Sequence, residues 1–515
     1  YIAREEYGLA YPLIKDLLQQ YPENKASDQA YLYEDLRYYQ LLCDLQLQLP
    51  IAESAARSFI YAVNNEPRRQ ILAFHLAHYY FLKNDFNNAI EYFDLAGYTN
   101  LSNEQIADAK FEKAYAYFNL KQFEQARPLF DEIHQLPENK YYLPANYYYG
   151  FICYYNKQYD EALKSFKLVE SQEAYKGVVP YYIAEIYYFQ GKKEEALRYG
   201  ESVLKNGGAH YYVLQLKLLM GQLYFEKQQY SKALPLLEEY VNGSDKVSKE
   251  VLYELSFCYY KDNQVQKAID GFKQLSNERD SMGQNSMYLL GDLYLKTNQK
   301  ANARNAFQYS AYNSSNKVQQ RVSRFNYAKL SYELGYQDVA LNEMKKYLQD
   351  YPGSENETEA KEILVSLLAN TNNYADAIQL YESLKPPTPA MQKVYPRILY
   401  GRSIELINDQ QLIQADALLD KLLGLTNNNS LDGYAQFWKG EIAYRQNRYD
   451  DAIRNMNLFL ASGLPASGEA NAINARYVSG YSWFQKENYK NALPAFEAIA
   501  TKLPANASNI EQDAY

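Results

Sequence analysis

The sequence predicts an all-α solenoid, a stack of about 13 helix-turn-helix repeats, and three observations carry that prediction. One aromatic-rich motif recurs from one end of the chain to the other. An alanine marks each copy at a nearly constant interval, and small, aromatic and proline residues return at fixed places around it.

The clearest copy is FEKAYAYFNLKQFEQARPLF, residues 111–130, in which Tyr117 is followed by Phe123, Ala126 and Phe130. The same spacing returns in YYFLKNDFNNAIEYF (79–93), CYYNKQYDEALKSF (153–166), LYFEKQQYSKALPLL (223–237), AYRQNRYDDAIRNM (443–456) and YSWFQKENYKNALPAF (481–496). The marker alanines are Ala10, Ala55, Ala89, Ala126, Ala162, Ala196, Ala233, Ala268, Ala303, Ala340, Ala377, Ala415, Ala452 and Ala492, with gaps between 34 and 45 residues. Self-similarity at such a period is the mark of a stacked helical array, because one unit cannot bury its apolar face alone.

The pattern resembles the tetratricopeptide repeat, a helix-turn-helix unit of about 34 residues, and the resemblance covers essentially the whole chain. It places the marker alanine at the twentieth position and orders the remaining elements. In the first helix the eighth position is small, which lets paired helices approach: Ala77, Ala114, Gly150, Ala184, Gly221, Ser256, Gly291, Ala328, Gly440 and Gly480. The eleventh is Tyr80, Tyr117, Tyr187, Tyr224, Tyr259 or Tyr294 in many copies. Acid pairs such as Glu194–Glu195 and Asp450–Asp451 fall before the marker, where carboxylates suit a helix N-terminus. The twenty-fourth position of the second helix is usually Phe. Pro22, Pro67, Pro352, Pro389 and Pro504 stand between repeats, where a residue without an N–H ends a helix. By the same resemblance the first helices line a concave wall in a right-handed superhelix.

The repeat code weakens around Ala377 and Ala415, where the eighth position becomes Val365 and Ser403 and the eleventh Leu368 and Leu406. KPPTPAMQKVYP, residues 385–396, is the most proline-rich segment, and proline disfavours helix in the residue before it. The expected organisation is a run of repeats over 1–384, a break or hinge at 385–396 and further repeats over 397–515, in one solenoid. Both ends read as cut: YIAREEYGLA opens inside a first helix and SNIEQDAY (508–515) opens another. The array is therefore expected to extend within a longer parent.

Composition removes several functions. Charged residues are 22% and hydrophobic residues 47% of the 515, the balance of a soluble folded protein. A net charge of −9 opposes nucleic acid, whose phosphates need clustered Lys and Arg. No window approaches the roughly 20 apolar residues that cross a bilayer. Cys43, Cys153 and Cys258 are too far apart for a metal or disulfide framework and are expected as small buried residues. Of the histidines His75, His78, His134 and His210, only the first two share a helical turn, and no third ligand accompanies them. No phosphate-binding loop, nucleophile elbow or HExxH motif occurs, so neither catalysis nor a cofactor is expected.

In this family the groove is lined by first-helix positions, chiefly the second, fifth, ninth, twelfth and thirteenth. The ninth, twelfth and thirteenth read His78, Phe81 and Leu82; Tyr115, Phe118 and Asn119; Phe151, Tyr154 and Tyr155; Glu185, Tyr188 and Phe189. Further on they become Asp292, Leu295 and Lys296, then Lys329, Tyr332 and Glu333, a more charged set. Aromatics at the fifth and twelfth recur almost everywhere and are expected to stack between repeats. The variable ninth and thirteenth supply the expected groove: His78, Tyr115, Asn119, Phe151, Tyr155, Glu185 and Phe189. Family members that clamp a carboxylate tail use Lys at the fifth and Asn at the ninth position. Neither pattern is met, so that mode is not expected.

The expected function is a non-catalytic scaffold for protein or peptide partners. The Tyr-, Asn- and Lys-rich style resembles large tetratricopeptide proteins of the Bacteroidota, many exported to the periplasm, often as lipoproteins in envelope complexes. That resemblance implies a periplasmic or envelope location, with a cytoplasmic one as the alternative. The competing function is the targeting arm of an enzyme or signalling protein whose catalytic domain lies outside these residues.

Overall fold

The computed structural model describes residues 1–23, 30–207, 211–425, 430–500 and 507–514. The expectations placed on Pro504, His210 and Tyr515 lie outside the described residues. Among those described are twenty-eight α-helices, a 3-10 turn at Ile2–Arg4, and no strand. The fold is the all-α helix-turn-helix repeat that the sequence predicts.

Each first helix stops because one residue turns left-handed. Positive φ occurs at Glu5, Gln48, Asn84, Lys121, Lys157, Gly191, Gln228, Asn263, Asn298, Gly335, Asn372, Gln410, Asn447 and Glu487. All but Gln48 stand five residues before the marker alanine of their copy. In the opening motif the Lys121 N–H donates to the Phe118 carbonyl and the Gln122 N–H to that of Tyr117, both at 2.9 Å. This pair of bonds is a Schellman closure, which satisfies the last carbonyls of the first helix and sets the angle at which the second departs. Identical closures join Asn84 to Phe81 with Asp85 to Tyr80, and Asn298 to Leu295 with Gln299 to Tyr294. Only two of these turns use glycine. The others accept a left-handed side chain, which costs about 1–2 kcal/mol, least for asparagine.

First and second helices then alternate. The chain opens with a second helix, Tyr7–Gln20, and thirteen complete couples follow before the short Asn509–Ala514. Six couples lie within a compact unit Tyr1–Cys258 and six within a second, Tyr259–Tyr515; the helices Lys249–Lys261 and Val265–Gln274 run across the division.

Packing within a couple follows the repeat code. Ala77, Ala114, Ala184, Ser256 and Ala328 at the eighth position are fully buried, as are most marker alanines. One marker slips: in helix Ala52–Ala62 the buried residues are Ala52, Ala56 and Ile60, and Ala55 is only half-buried. The turn before that helix is longer, through Leu49, Pro50 and Ile51, so the helix starts later and presents a different alanine.

The tyrosine surplus is used between couples. Phe111 stacks on Tyr141 with ring centroids 4.2 Å apart, Tyr147 on Tyr175 at 4.5 Å and Tyr381 on Tyr395 at 3.6 Å. Many hydroxyls donate to a carboxylate about one repeat away: Tyr141 to Asp108 at 2.7 Å, Tyr199 to Glu170 at 2.7 Å, Tyr260 to Asp292 at 3.0 Å and Tyr312 to Glu343 at 2.7 Å. A half-buried ring such as Tyr141, Tyr199 or Tyr260 thus keeps its polar tip satisfied while its face packs.

Within the proline-rich stretch, Thr388 caps helix Pro389–Asn408 by accepting from the Met391 N–H at 3.3 Å. That helix continues through Pro396. Met391 and Ile398 are buried in the same core as Leu364 and Ala377.

Candidate partner-binding face

The ninth and thirteenth positions of a first helix are four residues apart, hence on one face. In Tyr1–Cys258 they serve different ends. The ninth is largely spent on the neighbouring repeat. Tyr115 sits among Phe81, Phe86 and Tyr148 at centroid distances of 5.6, 6.2 and 5.3 Å. Phe151 meets Phe118 at 5.4 Å and Tyr182 at 5.8 Å. Glu185 accepts from the hydroxyls of Tyr154 and, at 3.0 Å, Tyr181. His78 places Nδ1 2.9 Å from both oxygens of the buried Glu112.

The thirteenth position is exposed. Leu82 is 51%, Tyr155 63% and Phe189 49% accessible. Asn119 is also exposed, its side-chain amide donating to the Tyr115 carbonyl at 2.9 Å. These side chains stand on the last turns of Glu66–Leu82, Asn103–Asn119, Tyr142–Tyr155 and Val179–Phe189. The two rings are held from beneath. Tyr155 lies 4.9 Å from Phe123, and Phe189 stacks on Tyr159 at 5.5 Å with 17° between the planes. Each supporting ring is the first residue of the preceding second helix. Sequence reading missed these supports; the signal was the aromatic three residues before the marker, which returns as Phe86, Phe123, Tyr159 and Tyr230.

Charge gathers beside this face around His78. Burial works against its protonation, but the hydrogen bond and charge of Glu112, with Asp108 behind, win and raise its pKa above the ordinary value. Glu112 is also raised, by burial ahead of the opposing pull of His78. Lys140 pairs with Asp108 at 2.5 Å and closes the cluster. His75 does not join it: it is buried against Gln46 at 2.9 Å, and burial with the neighbouring His78 lowers it to about 4. Among the described residues no group of three or more His, Cys, Asp or Glu is placed to hold a metal ion. Cys43, Cys153 and Cys258 are buried and unbridged, and burial pushes the Cys43 and Cys153 thiols up to about 11.

In Tyr259–Tyr515 the thirteenth position is polar in every copy, as Lys296, Glu333, Asn370, Asn408, Arg445 and Gln485. Asp292 and Lys296, ninth and thirteenth of one helix, pair at 2.8 Å, and Glu333 accepts from Lys300 at 2.8 Å. No described helix is long and apolar enough to cross a membrane.

An α-helical repeat protein with an exposed aromatic row on its first helices is what this geometry defines. Family models described as tetratricopeptide repeat match residues 250–280 and 410–462. Those two segments match as tetratricopeptide repeats, and the described couples around them share the same helix-turn-helix plan. A comparison with curated proteins finds no match. Among solved structures, the chain is similar to a tetratricopeptide repeat protein from Parabacteroides merdae at 19% identity and a TM-score of 0.30, over 51% of this chain and 99% of that one. It is also similar to the C-terminal part of a TPR repeat-containing protein from Cytophaga hutchinsonii at 15% identity and a TM-score of 0.33, over 56% and 98%.

Proposed function

We propose that the chain is a non-catalytic scaffold that binds a peptide or protein along the first-helix ends of Tyr1–Cys258. The observation that carries this reading is the exposed row Leu82, Tyr155 and Phe189, with Asn119 between them and two of its rings braced by Phe123 and Tyr159. Aromatic rings already fixed by packing lose little entropy when covered, and they dominate binding energy at protein interfaces. A partner with apolar anchors at a repeat's spacing fits it. The composition resembles exported tetratricopeptide proteins of the Bacteroidota, which supports a periplasmic or envelope assembly, as a lipoprotein or a subunit beside one.

The test is affinity capture from the native cell with wild type and Tyr155→Ser/Phe189→Ser. Both positions are exposed, so the double variant keeps its fold by circular dichroism. The reading expects partners held by wild type to be lost. Retention of every partner overturns it.

A further inference from the structure

A cleft of about 650 Å³ opens in Tyr259–Tyr515 away from any first-helix groove position. Its walls are the second helix Lys300–Tyr312, the loop that follows it, and Arg279 from the segment before helix Ser281–Lys296. We propose that this cleft binds a small organic acid, its carboxylate seated on Arg279. The proposal is independent of the aromatic face above.

The cleft is built rather than incidental. Gln284, 0% accessible, donates through Nε2 to the carbonyls of Ser310, Asn313 and Asn316 at 3.2, 2.8 and 2.9 Å. Its oxygen accepts from the Asn316 N–H at 2.6 Å. One buried amide therefore spends its bonding capacity on fixing the loop 313–316. The strand of backbone carrying Arg279 is fixed in turn. Tyr309 donates to the Glu278 carbonyl at 2.6 Å, and the Asn313 amide donates to the carbonyls of Arg279 and Asp280 at 3.1 Å each.

What these bonds leave over is donors. The Arg279 guanidinium has no carboxylate partner among the described residues, whereas Lys296, Lys300 and Arg324 in the same unit are paired. Gln308 is half-buried in the wall with its amide unspent, and Asn305 lines the same space. Among the described residues, no acid lines the cleft. Glu343, which accepts from Tyr312 at 2.7 Å, has Arg324 4.0 Å away to offset its charge. The Tyr312 ring, 55% accessible, offers a flat apolar surface at the rim. A planar fork beside two amides matches a carboxylate, which accepts two parallel N–H bonds from a guanidinium, and a ring at the edge suits an organic body more than a bare inorganic ion.

Titration calorimetry of the 515-residue chain at low ionic strength tests this with citrate, glucuronate, glucose and inorganic phosphate. Citrate or glucuronate binds, glucose does not, and phosphate binds more weakly than the acids. Arg279→Met weakens the acids about tenfold or more, with Arg279→Lys between, since lysine keeps the charge and loses the fork. Arg279 is exposed, so neither variant alters the melting temperature of the free protein. Gln308→Leu weakens the acids without abolishing them. Absence of binding by both acids overturns the proposal, as does equal affinity in Arg279→Met or equal binding of glucose. Phosphate binding more tightly than either acid overturns the carboxylate assignment.

Discussion

Glycine at the eighth position of a first helix is a measurable constraint, and Gly291→Ala set against Gly440→Ala isolates it. A Cβ on Gly291 would stand 2.8 Å from Cε1 and Cζ of Phe307, a ring that is 2% accessible and flanked by Tyr288 at 6.1 Å. A Cβ on Gly440 would meet Cγ and Cε of Met456, both at 3.0 Å. Methionine has three rotatable bonds and yields by a few tenths of an ångström, while a confined ring cannot. Alanine gains about 1 kcal/mol of helix propensity over glycine at both sites. Overpacking costs about 1–3 kcal/mol where the neighbour is rigid. The lower half of that range applies, because Ala114 and Phe130 occupy the equivalent places in another couple and both are fully buried there. Gly440→Ala, where the yielding methionine costs about 0.5 kcal/mol, is therefore expected about 0.5 kcal/mol more stable than wild type, and Gly291→Ala less stable than Gly440→Ala by about 0.5–1.5 kcal/mol. Both sites lie in Tyr259–Tyr515, so the same thermal transition reports both, with a midpoint difference of about 1–6 °C. Equal stability of the two variants, or a greater loss at Gly440, would refute the rigid-ring argument.

Gln284→Ala strips one buried carbonyl, two part-buried carbonyls and one part-buried N–H of their partner and is expected to cost about 2 kcal/mol by denaturant titration, where an exposed amide such as Asn119→Ala costs almost nothing. Phe151→Ala removes a half-buried ring packed by Phe118 and Tyr182 and should cost about 2 kcal/mol, below the ~3–5 of a fully buried phenylalanine. Tyr155→Ala, one turn on and exposed, is expected within about 0.5 kcal/mol of wild type. Because Glu112 raises the His78 pKa, the stability His78 contributes is full at acid pH below its unfolded value and is lost as pH rises through the raised folded value. In Glu112→Gln that value falls, since burial alone lowers it; proton NMR of the imidazoles across pH reads this directly, and an unmoved His78 titration would contradict the pairing.

Much of the fold could be read from residues that touch within one couple. Ala114, Ala126 and Phe130 meet across a single tight turn, so their spacing appears in the sequence almost without distortion. The turn itself was harder to see. The left-handed position is Asn84, Asn263, Asn298, Asn372, Asn447, Gly191 or Gly335 in half the copies, a pattern with a physical cause, but Lys121 and Gln228 obscure it. Ala55 misled because a longer loop before it rotates which alanine faces inward.

The groove was legible only in part. The interval of four separates ninth from thirteenth on paper, yet both lie on one face, and what divides them is contact with the next repeat. Tyr115 and Phe151 look as free as Tyr155 in the sequence, yet Tyr148 and Tyr182 pack against them and leave them half-buried. The cleft at Arg279 left no sequence signal, because Gln284 and Asn313 act through backbone carbonyls that any residue could supply.

Hydrogen exchange by mass spectrometry on the protein with a captured partner, against the protein alone, tests the binding face most directly. The account predicts slowed exchange at the ends of Glu66–Leu82, Tyr142–Tyr155 and Val179–Phe189, with the second helices Tyr159–Val169 and Lys193–Asn206 unchanged beyond their first turns. Protection confined to the second helices, or to Tyr259–Tyr515, would contradict it.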